Sequence, residues 1–313
     1  MRIAWTQRTR KALAWALLVV VAGLLAWWKP LALVEGVQRG GLYALIALPM
    51  ALILGIVGII NLAHGEFLML GAYFAFWLWY HLKFDPILAM IPALAAFAML
   101  GAVTFSATVR RVLKAPELIQ LLLTYGLALI GVEIANLLWT SRPYKPFLRY
   151  SFASATLGSL RFGAFPFVYT GAAIVVLLGL LLFLRRTRTG QAAAAVGQNP
   201  RGASLVGIDV NRTYLVVFSL AIALVGAVGG LYVTRHVVFP HAGSPYTMKS
   251  FCLIAMAGIG NLPGVFWSGL TLGVAESFVM SFRAAYGWAD VVFFAVLVAV
   301  IMAKSYRIRR LLS

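Results

Sequence analysis

The chain has 313 residues, of which 63% are hydrophobic and only 11% are charged, and its formal net charge is +18. A soluble globular domain carries about a quarter charged residues, so this composition excludes an ordinary soluble protein and indicates one that lives in a lipid bilayer. The single cysteine, Cys252, excludes an internal disulfide and any multi-cysteine metal or redox motif.

Apolar stretches that could form membrane helices recur along the chain, since about 20 apolar residues suffice to cross the hydrocarbon core. The first follows a basic tail, and Trp27, Trp28, Lys29 and Pro30 replace the small residues of a signal-peptide cleavage site, so we predict an uncleaved span. The predicted stretches are 12–28, 40–60, 66–80, 86–108, 117–139, 166–184, 213–234, 251–262, 264–282 and 286–303. Two of them, 66–80 and 251–262, are short enough to be half-spans.

These stretches predict an all-α polytopic membrane protein of about eight to ten helices, with residues 1–313 forming one transmembrane domain. Eight and ten crossings are both compatible with the pattern, because 251–282 could re-enter instead of crossing. The side that holds both termini receives the larger share of Lys and Arg, which predicts cytosolic termini. Because the basic residues sit in short loops on both faces, we expect membrane lipids as a partner and no nucleic acid.

A polar cluster interrupts the apolar stretch GIVGIINLAHGEFLMLGAY at residues 55–73. Its glycines lower helix propensity, and Asn61 and His64 can bond to backbone groups freed by a break in the helix. Glu66 would lie in the first turn of the next helix, where the helix dipole favours a carboxylate. His64 and Glu66 could brace the break, or they could line a permeation path or its cytosolic gate. On the ten-crossing count we expect them near the cytosolic end of their span.

Two other carboxylates, Glu133 and Glu276, also fall within apolar stretches. Each is interpreted as a partner in a buried interhelical hydrogen bond or as a path-lining group. A second irregularity, GIGNLPG at 258–264, repeats the spacing around Asn61 with Asn261. Repeated interrupted helices are typical of transporters, so the likeness predicts two broken-helix hairpins and a path between 55–73 and 251–276.

The loop RRTRTGQAAAAVGQNPRGASLVGIDVNR, at 185–212, carries the signals of a short helix. Asn199 is a good N-cap, Pro200 suits the first helical position, and Gly207 suits the end. Gln198, Arg201 and Leu205 belong to the same segment. From these residues alone, the loop is equally a docking element for another protein and a plain connector.

The sequence contains no phosphate-binding loop, no HExxH motif and no convincing nucleophile–base–acid set. The histidines, His64, His81, His236 and His241, are scattered along the chain. These features do not predict an enzyme, and they favour a carrier or channel subunit that moves a solute without chemical change.

Four blocks resemble the permeases of branched-chain amino acid ABC importers, of the type with the signature NxAHGE. They are YALIALPMALILGIVGIINLAHGEFLMLGAY (43–73), LKAPELIQLLLTYGLALIG (113–131), GQNPRGASLVGI (197–208) and MKSFCLIAMAGIGNLPGVFWSGLTLGVAE (248–276). They occur in order over nearly the whole chain after the first span. The sequence departs from relatives at Arg201, where an acidic residue is common, and at Gly202, where alanine is usual.

The resemblance implies a permease subunit in a bacterial inner membrane, with no cofactor of its own. It implies three kinds of partner: a second related permease, two cytosolic ABC ATPases that bind ATP and Mg, and a periplasmic solute-binding protein. The loop at 185–212 would contact an ATPase, and the path would lie at the interface with the second permease. Urea, short amides or other small solutes are alternative substrates. A proton-coupled secondary transporter using Glu66, Glu133 or Glu276 is the alternative from another class.

Overall fold

The computed structural model describes residues 28–158, 160–291, 293–295, 298–299 and 302. The predicted first span, 12–28, lies outside the described residues except for Trp28, and the predicted last span, 286–303, lies partly outside them. The helices are α1 (Pro30–Ile56), α2 (His64–Leu82), α3 (Met90–Val112), α4 (Glu117–Trp139), α5 (Phe167–Arg186), α6 (Arg188–Gln198), α7 (Pro200–Leu205), α8 (Val210–Arg235), α9 (Ser244–Ala257) and α10 (Leu262–Met280). The strands are β1 (Ser154–Leu157) and β2 (Leu160–Gly163).

The helices confirm the predicted all-α membrane architecture. In the described part of the chain, six are long and apolar enough to cross a membrane, namely α1, α3, α4, α5, α8 and α10. A small exception to the all-α pattern is the antiparallel hairpin β1–β2, in which Ser154 lies opposite Gly163. The sequence did not predict this hairpin.

Two helices form the centre of the bundle. The most apolar windows of α1 and α8 are 83% and 78% buried, whereas those of α3 and α5 are 22% buried. Helices that are apolar all round and buried all round belong in the interior, because they have no polar face to present to water or headgroups. The remaining spanning helices surround this centre.

The packing of α1 against α10 depends on glycines. Gly36 and Gly40 of α1 face Gly269 and Gly273 of α10, and a Cβ on any of the four would overlap atoms of the opposite helix. Hydrophobic burial gives no driving force between helices within lipid, so close backbone approach through small residues is what makes such a contact favourable. The two helices run antiparallel, with Gly55 of α1 beside Gly260 at the start of α10.

These contacts define the two ends of the bundle. The end that holds Ile56 also holds Gly197 of α6 and Gly260, and is called the loop end. The opposite end holds the start of α1 and the β1–β2 hairpin, where Gln38 Nε2 donates to Gly163 O at 2.7 Å, and is called the hairpin end. α1 therefore runs from the hairpin end to the loop end.

The break after α1 turns back into the bundle. Residues 57–63 are not helical, and His64 at the start of α2 lies 2.8 Å, through Nε2, from the carbonyl oxygen of Ile46. Ile46 is in the middle of α1, so α2 begins at mid-depth. The predicted break is confirmed, but its predicted position near one end of a span is wrong, because the linker folds inward instead of staying at the surface.

The region predicted as 251–262 and 264–282 also differs in its boundaries. The first helix is α9, Ser244–Ala257, and a break at 258–261 separates it from α10. α9 starts beside the first break, since Gly243 is in backbone contact with Gly65, and it ends at the loop end. α9 is thus a short helix of 14 residues, while α10 has the length of a span.

Candidate functional site

A group of polar residues lies at mid-depth where α2 and α9 begin, and we call Asn61, His64, Glu66, Ser244 and Thr247 the central polar cluster. The two helix starts approach so closely that a Cβ on Gly65 would overlap the Gly243 carbonyl. The Gly65 amide donates to Thr247 Oγ1 at 2.8 Å. The cluster thus joins the break at 57–63 to the segment at 236–243, a pairing that the sequence did not reveal.

Asn61 and His64 make contacts that brace the break. Asn61 is 1% exposed, and its Oδ1 accepts from the Ala63 amide at 3.1 Å. His64 is fully buried, and because a carbonyl only accepts, its Nε2 is the protonated nitrogen that donates to Ile46 O. This contact holds the start of α2 against the middle of α1.

Glu66 is placed differently from these two residues. It is 4% exposed, and its Oε1 accepts from the Ser244 hydroxyl at 2.8 Å, while its buried Oε2 has no hydrogen-bond partner. It lines a cavity of about 270 Å³ together with Leu62, Tyr125, Ala128, Leu129, Val132, His241, Ser244, Thr247 and Met248. We call this space the Glu66 cavity. Of the central polar cluster, Glu66, Ser244 and Thr247 face it.

Glu133 does not form the buried interhelical hydrogen bond expected within the chain. It lies on an exposed face of α4, and among the described residues it has no hydrogen-bond or ion-pair partner. The neighbouring residues Gly131 and Val132 are buried, whereas Glu133 is not. Hydropathy marks Glu133 as a residue within a span but does not tell which face of α4 is covered.

Glu276 does form an interhelical contact, and its partner is Lys249 of α9. The two side chains are 3.0 Å apart and both are largely buried, while Lys249 also lies 3.1 Å from the exposed carboxylate of Asp290. The Lys249 ammonium donates to the Tyr43 hydroxyl at 3.1 Å, so it links α9 to α1 and α10. Sequence reasoning placed Lys249 outside the membrane because it put the helix start at 251, seven residues after the observed start.

The second break, at 258–261, is an exposed turn at the loop end. Asn261 caps α10: its Oδ1 accepts from the Gly264 amide at 3.0 Å, and its Nδ2 donates to Ala257 O at 3.3 Å. Gly258 and Gly260 have φ values of +96° and +78°, which non-glycine residues rarely adopt. The predicted second irregularity is confirmed, but it is distant from the central polar cluster.

The loop between α5 and α8 contains two helices instead of the single predicted one. Thr187 caps α6 and Asn199 caps α7, with Asn199 Oδ1 accepting from the Gly202 amide at 3.0 Å. Pro200 occupies the first position of α7, and Gly207 follows it with φ +86°. The predicted cap and stop of the short helix are therefore confirmed.

The tip of this loop presents apolar side chains to its surroundings. Leu205 and Val206 are 88% and 77% exposed, and Gln198 and Arg201 are exposed beside them. Behind the tip, Ala193 and Val196 of α6 are buried against the bundle. The loop is thus anchored on one side and unpartnered on the other.

A second pocket, of about 270 Å³, opens at the hairpin end. Its lining includes the charged or polar residues Glu35, Gln38, Arg39, Tyr169, Arg235 and His236. Burial lowers the pKa of His236 to about 4, a shift opposed by its contact with Tyr232 O and increased by the positive charges of Arg235, Arg39 and Lys145. The pocket therefore disfavours the charged form of this imidazole.

The described residues contain no group of three or more His, Cys, Asp or Glu side chains that could hold a metal ion. A bundle of apolar spanning helices, with buried polar groups at two helix starts and an anchored loop at one end, defines a polytopic integral membrane protein. The comparisons with known proteins then identify its family.

A family model described as "Branched-chain amino acid transport system / permease component" matches residues 32–301. The chain belongs to this family, which is a family of transport permease components and not of known enzymes. The high-affinity branched-chain amino acid transport system permease protein BraD of Pseudomonas aeruginosa is 30% identical over 290 residues, covering 87% of this chain and 92% of BraD.

Two other relatives have similar coverage. The permease protein LivH of the corresponding high-affinity system of Salmonella typhimurium is 30% identical over 281 residues, covering 86% of this chain and 91% of LivH. A probable branched-chain amino acid transport permease protein LivH of Methanocaldococcus jannaschii is 28% identical, covering 83% of this chain and 84% of the relative. No solved structure matches the chain significantly.

Proposed function

We propose that this chain is a permease subunit of a binding-protein-dependent ABC importer and forms half of a path for branched-chain or other hydrophobic amino acids. The observation that carries the proposal, beside the family, is the anchored loop with its exposed Leu205 and Val206. Apolar side chains displayed together at a loop tip are typical of a contact with another protein. A nucleotide-binding subunit is the partner that such an importer requires there.

The contacts of the loop would transmit a displacement of its tip to the bundle. α6 is held against the bundle by Ala193 and Val196, and α7 is fixed to α6 by the Asn199 cap. Because Pro200 and the cap leave the start of α7 little conformational freedom, displacement of the tip would move α6 and the neighbouring end of α1. ATP and Mg would bind in the ATPase subunits, and this chain would need no cofactor.

In this proposal the loop end faces the cytosol and the hairpin end faces the periplasm. The larger share of basic residues on the loop side supports cytosolic termini. The solute-binding protein would then deliver its ligand at the hairpin end, where Glu35, Arg39 and Arg235 form a polar mouth.

The exposed position of Glu133 supports a second permease beside α4. An ionisable side chain within a span costs about 2.5–3.5 kcal/mol on insertion scales when it faces lipid, so such residues normally face protein or a watery cavity. A related permease that covers this face of α4 would remove that cost. Anionic lipids would surround the rest of the subunit.

The proposed substrates follow from the relatives, whose names specify branched-chain amino acids. Urea, short amides and other small polar solutes remain the alternative within this importer class. Ligand binding by the solute-binding protein encoded with this chain, tested against leucine, urea and aromatic amino acids, separates these substrates.

The test of the importer is reconstitution of the chain with its ATPases, second permease and binding protein. We expect the ATPases to co-purify and leucine uptake into proteoliposomes to require ATP. Leu205→Asp should abolish both, whereas Phe147→Asp, the same change at an exposed residue before the hairpin, should leave the ATPases bound. Uptake by this chain alone under a proton gradient would overturn the proposal in favour of a secondary transporter.

A further inference from the structure

We propose that Glu66 binds the ammonium group of a hydrophobic amino acid as it passes mid-depth through the bundle, an inference that rests on the proposed function. The starting observation is an incompletely satisfied carboxylate. Oε1 receives one hydrogen bond, from Ser244, and the buried Oε2 receives none. Buried polar atoms nearly always have partners, so an orphaned acceptor on a side chain that lines a cavity indicates a missing donor.

The missing donor is best supplied by a cation. Among the described residues no lysine or arginine forms an ion pair with Glu66, and the two ion pairs found there both involve Lys249. His241 shares the cavity, but it lies on an exposed turn with φ +79° and makes no hydrogen bond to the carboxylate. An ammonium group offers three donors and a positive charge, and such charge-assisted bonds are the strong ones.

The rest of the cavity suits an aliphatic side chain. Leu62, Ala128, Leu129, Val132 and Met248 form much of its lining. Its volume of about 270 Å³ lies just below the usual lower limit of ligand pockets, about 300 Å³, so it admits one small solute. A carboxylate within an otherwise largely apolar lining matches an amino acid with an aliphatic side chain, whereas urea carries no charge to neutralise Glu66.

The position and the opening of the cavity fit a transit site. Glu66 and Ser244 lie beside the interruption that precedes α2 and the start of α9, and the sites of many transporters lie at interrupted helices near the bilayer midplane. Leu129 and Met248 are 49% and 56% exposed, so the cavity is open on one side of the isolated chain. The second permease of the proposed importer would close that side.

The central variant is Glu66→Gln in the reconstituted importer. Glutamine keeps the oxygen that accepts from Ser244 and nearly the same volume, but it removes the negative charge. We expect ATP-driven leucine uptake to fall by about tenfold or more, because a charged partner is lost. Assembly with the ATPases and leucine affinity of the separate binding protein should not change. Glu117→Gln, which removes an exposed charge from the first turn of α4, is the matched control and should keep wild-type uptake.

Ser244→Ala separates binding from bracing. It removes the hydrogen bond to Oε1 and leaves the charge, so the proposal predicts much higher uptake than in Glu66→Gln. Equal losses in the two variants would assign Glu66 a bracing role and overturn the ammonium site.

Crosslinking with photoreactive leucine tests the site in the wild-type protein, so it does not require any variant to fold. During ATP-driven turnover of the wild-type importer we expect it to label peptides of α4 or α9 that line the Glu66 cavity. Labelling elsewhere in the chain, or uptake by Glu66→Gln equal to wild type, would overturn this site while leaving the importer intact. Absence of ATP-dependent leucine uptake by the wild-type complex would instead overturn the proposed function.

Discussion

The breaks at 57–63 and 258–261 share the spacing Gly-Ile-x-Asn-Leu, yet the structure places them in opposite surroundings. Asn61 is buried at mid-depth, where it supports a turn that carries the chain back into the bundle. Asn261 is exposed at the loop end, where it caps α10. In both, the asparagine oxygen accepts a nearby amide proton in place of the interrupted helix. The same local chemistry therefore serves a central site in one place and an ordinary helix boundary in the other.

The difference comes from what packs around each break. Gly65 and Gly243 allow two helix starts to meet beside Asn61, whereas Asn261 lies in an exposed turn at the loop end. α9 connects the two regions, since it begins next to the first break and ends immediately before the second.

The largest effect is expected from Lys249, because it fixes α9 between the two breaks. Lys249→Met leaves the buried Glu276 without its cation, and removal of one partner of a buried pair costs about 3–5 kcal/mol. Thermal unfolding of the purified protein in detergent measures the loss. Lys249→Met combined with Glu276→Gln should recover much of it. A single variant as stable as wild type would show that α9 is held in place by other contacts.

The next largest loss of stability is expected where the starts of α2 and α9 meet. Gly65→Ala places a methyl group against the Gly243 backbone, and such overpacking costs about 1–3 kcal/mol or more when backbone must move. Gly58→Ala is the control within the same break, where a Cβ meets no atom within 4 Å and only the strain of φ +76° is added. Similar unfolding temperatures for the two variants would contradict the close contact.

The smallest expected effect is the difference in stability between the alanine variants of the two asparagines. Asn61→Ala leaves the Ala63 amide unsatisfied in the interior, which costs about 1–3 kcal/mol. Asn261→Ala removes an exposed cap, whose loss costs about 1 kcal/mol. The comparison predicts the lower unfolding temperature for Asn61→Ala. The reverse order would mean that the exposed break is the more important one for stability.

Much of the architecture could be predicted because hydropathy and capping are local properties. The membrane class, both breaks and the Asn199 cap follow from residues close together in the sequence. The depth of the first break could not be predicted, since it depends on His64 reaching Ile46, which lies 18 positions earlier. Local polarity says that a turn is present but not which way it folds.

The individual roles of the charged residues needed the tertiary structure. Glu66, Glu133 and Glu276 look alike in the sequence, yet one faces a cavity, one is exposed and one is paired. A single charge in an apolar stretch does not specify its partner. The sequence placed Lys249 outside the membrane because its helix starts at Ser244, with Pro245 in the first turn, before the continuous apolar run begins.

The glycine contact between α1 and α10 has a mechanical consequence. Because Gly36 and Gly40 meet Gly269 and Gly273 main chain to main chain, no flexible side chains lie between the helices to accommodate sliding. A shift of one helix by a single residue would drive larger side chains into the seam, so the pair is expected to travel as one rigid unit. Rearrangement during a transport cycle would then fall to peripheral elements such as α4, whose most apolar window is only 33% buried.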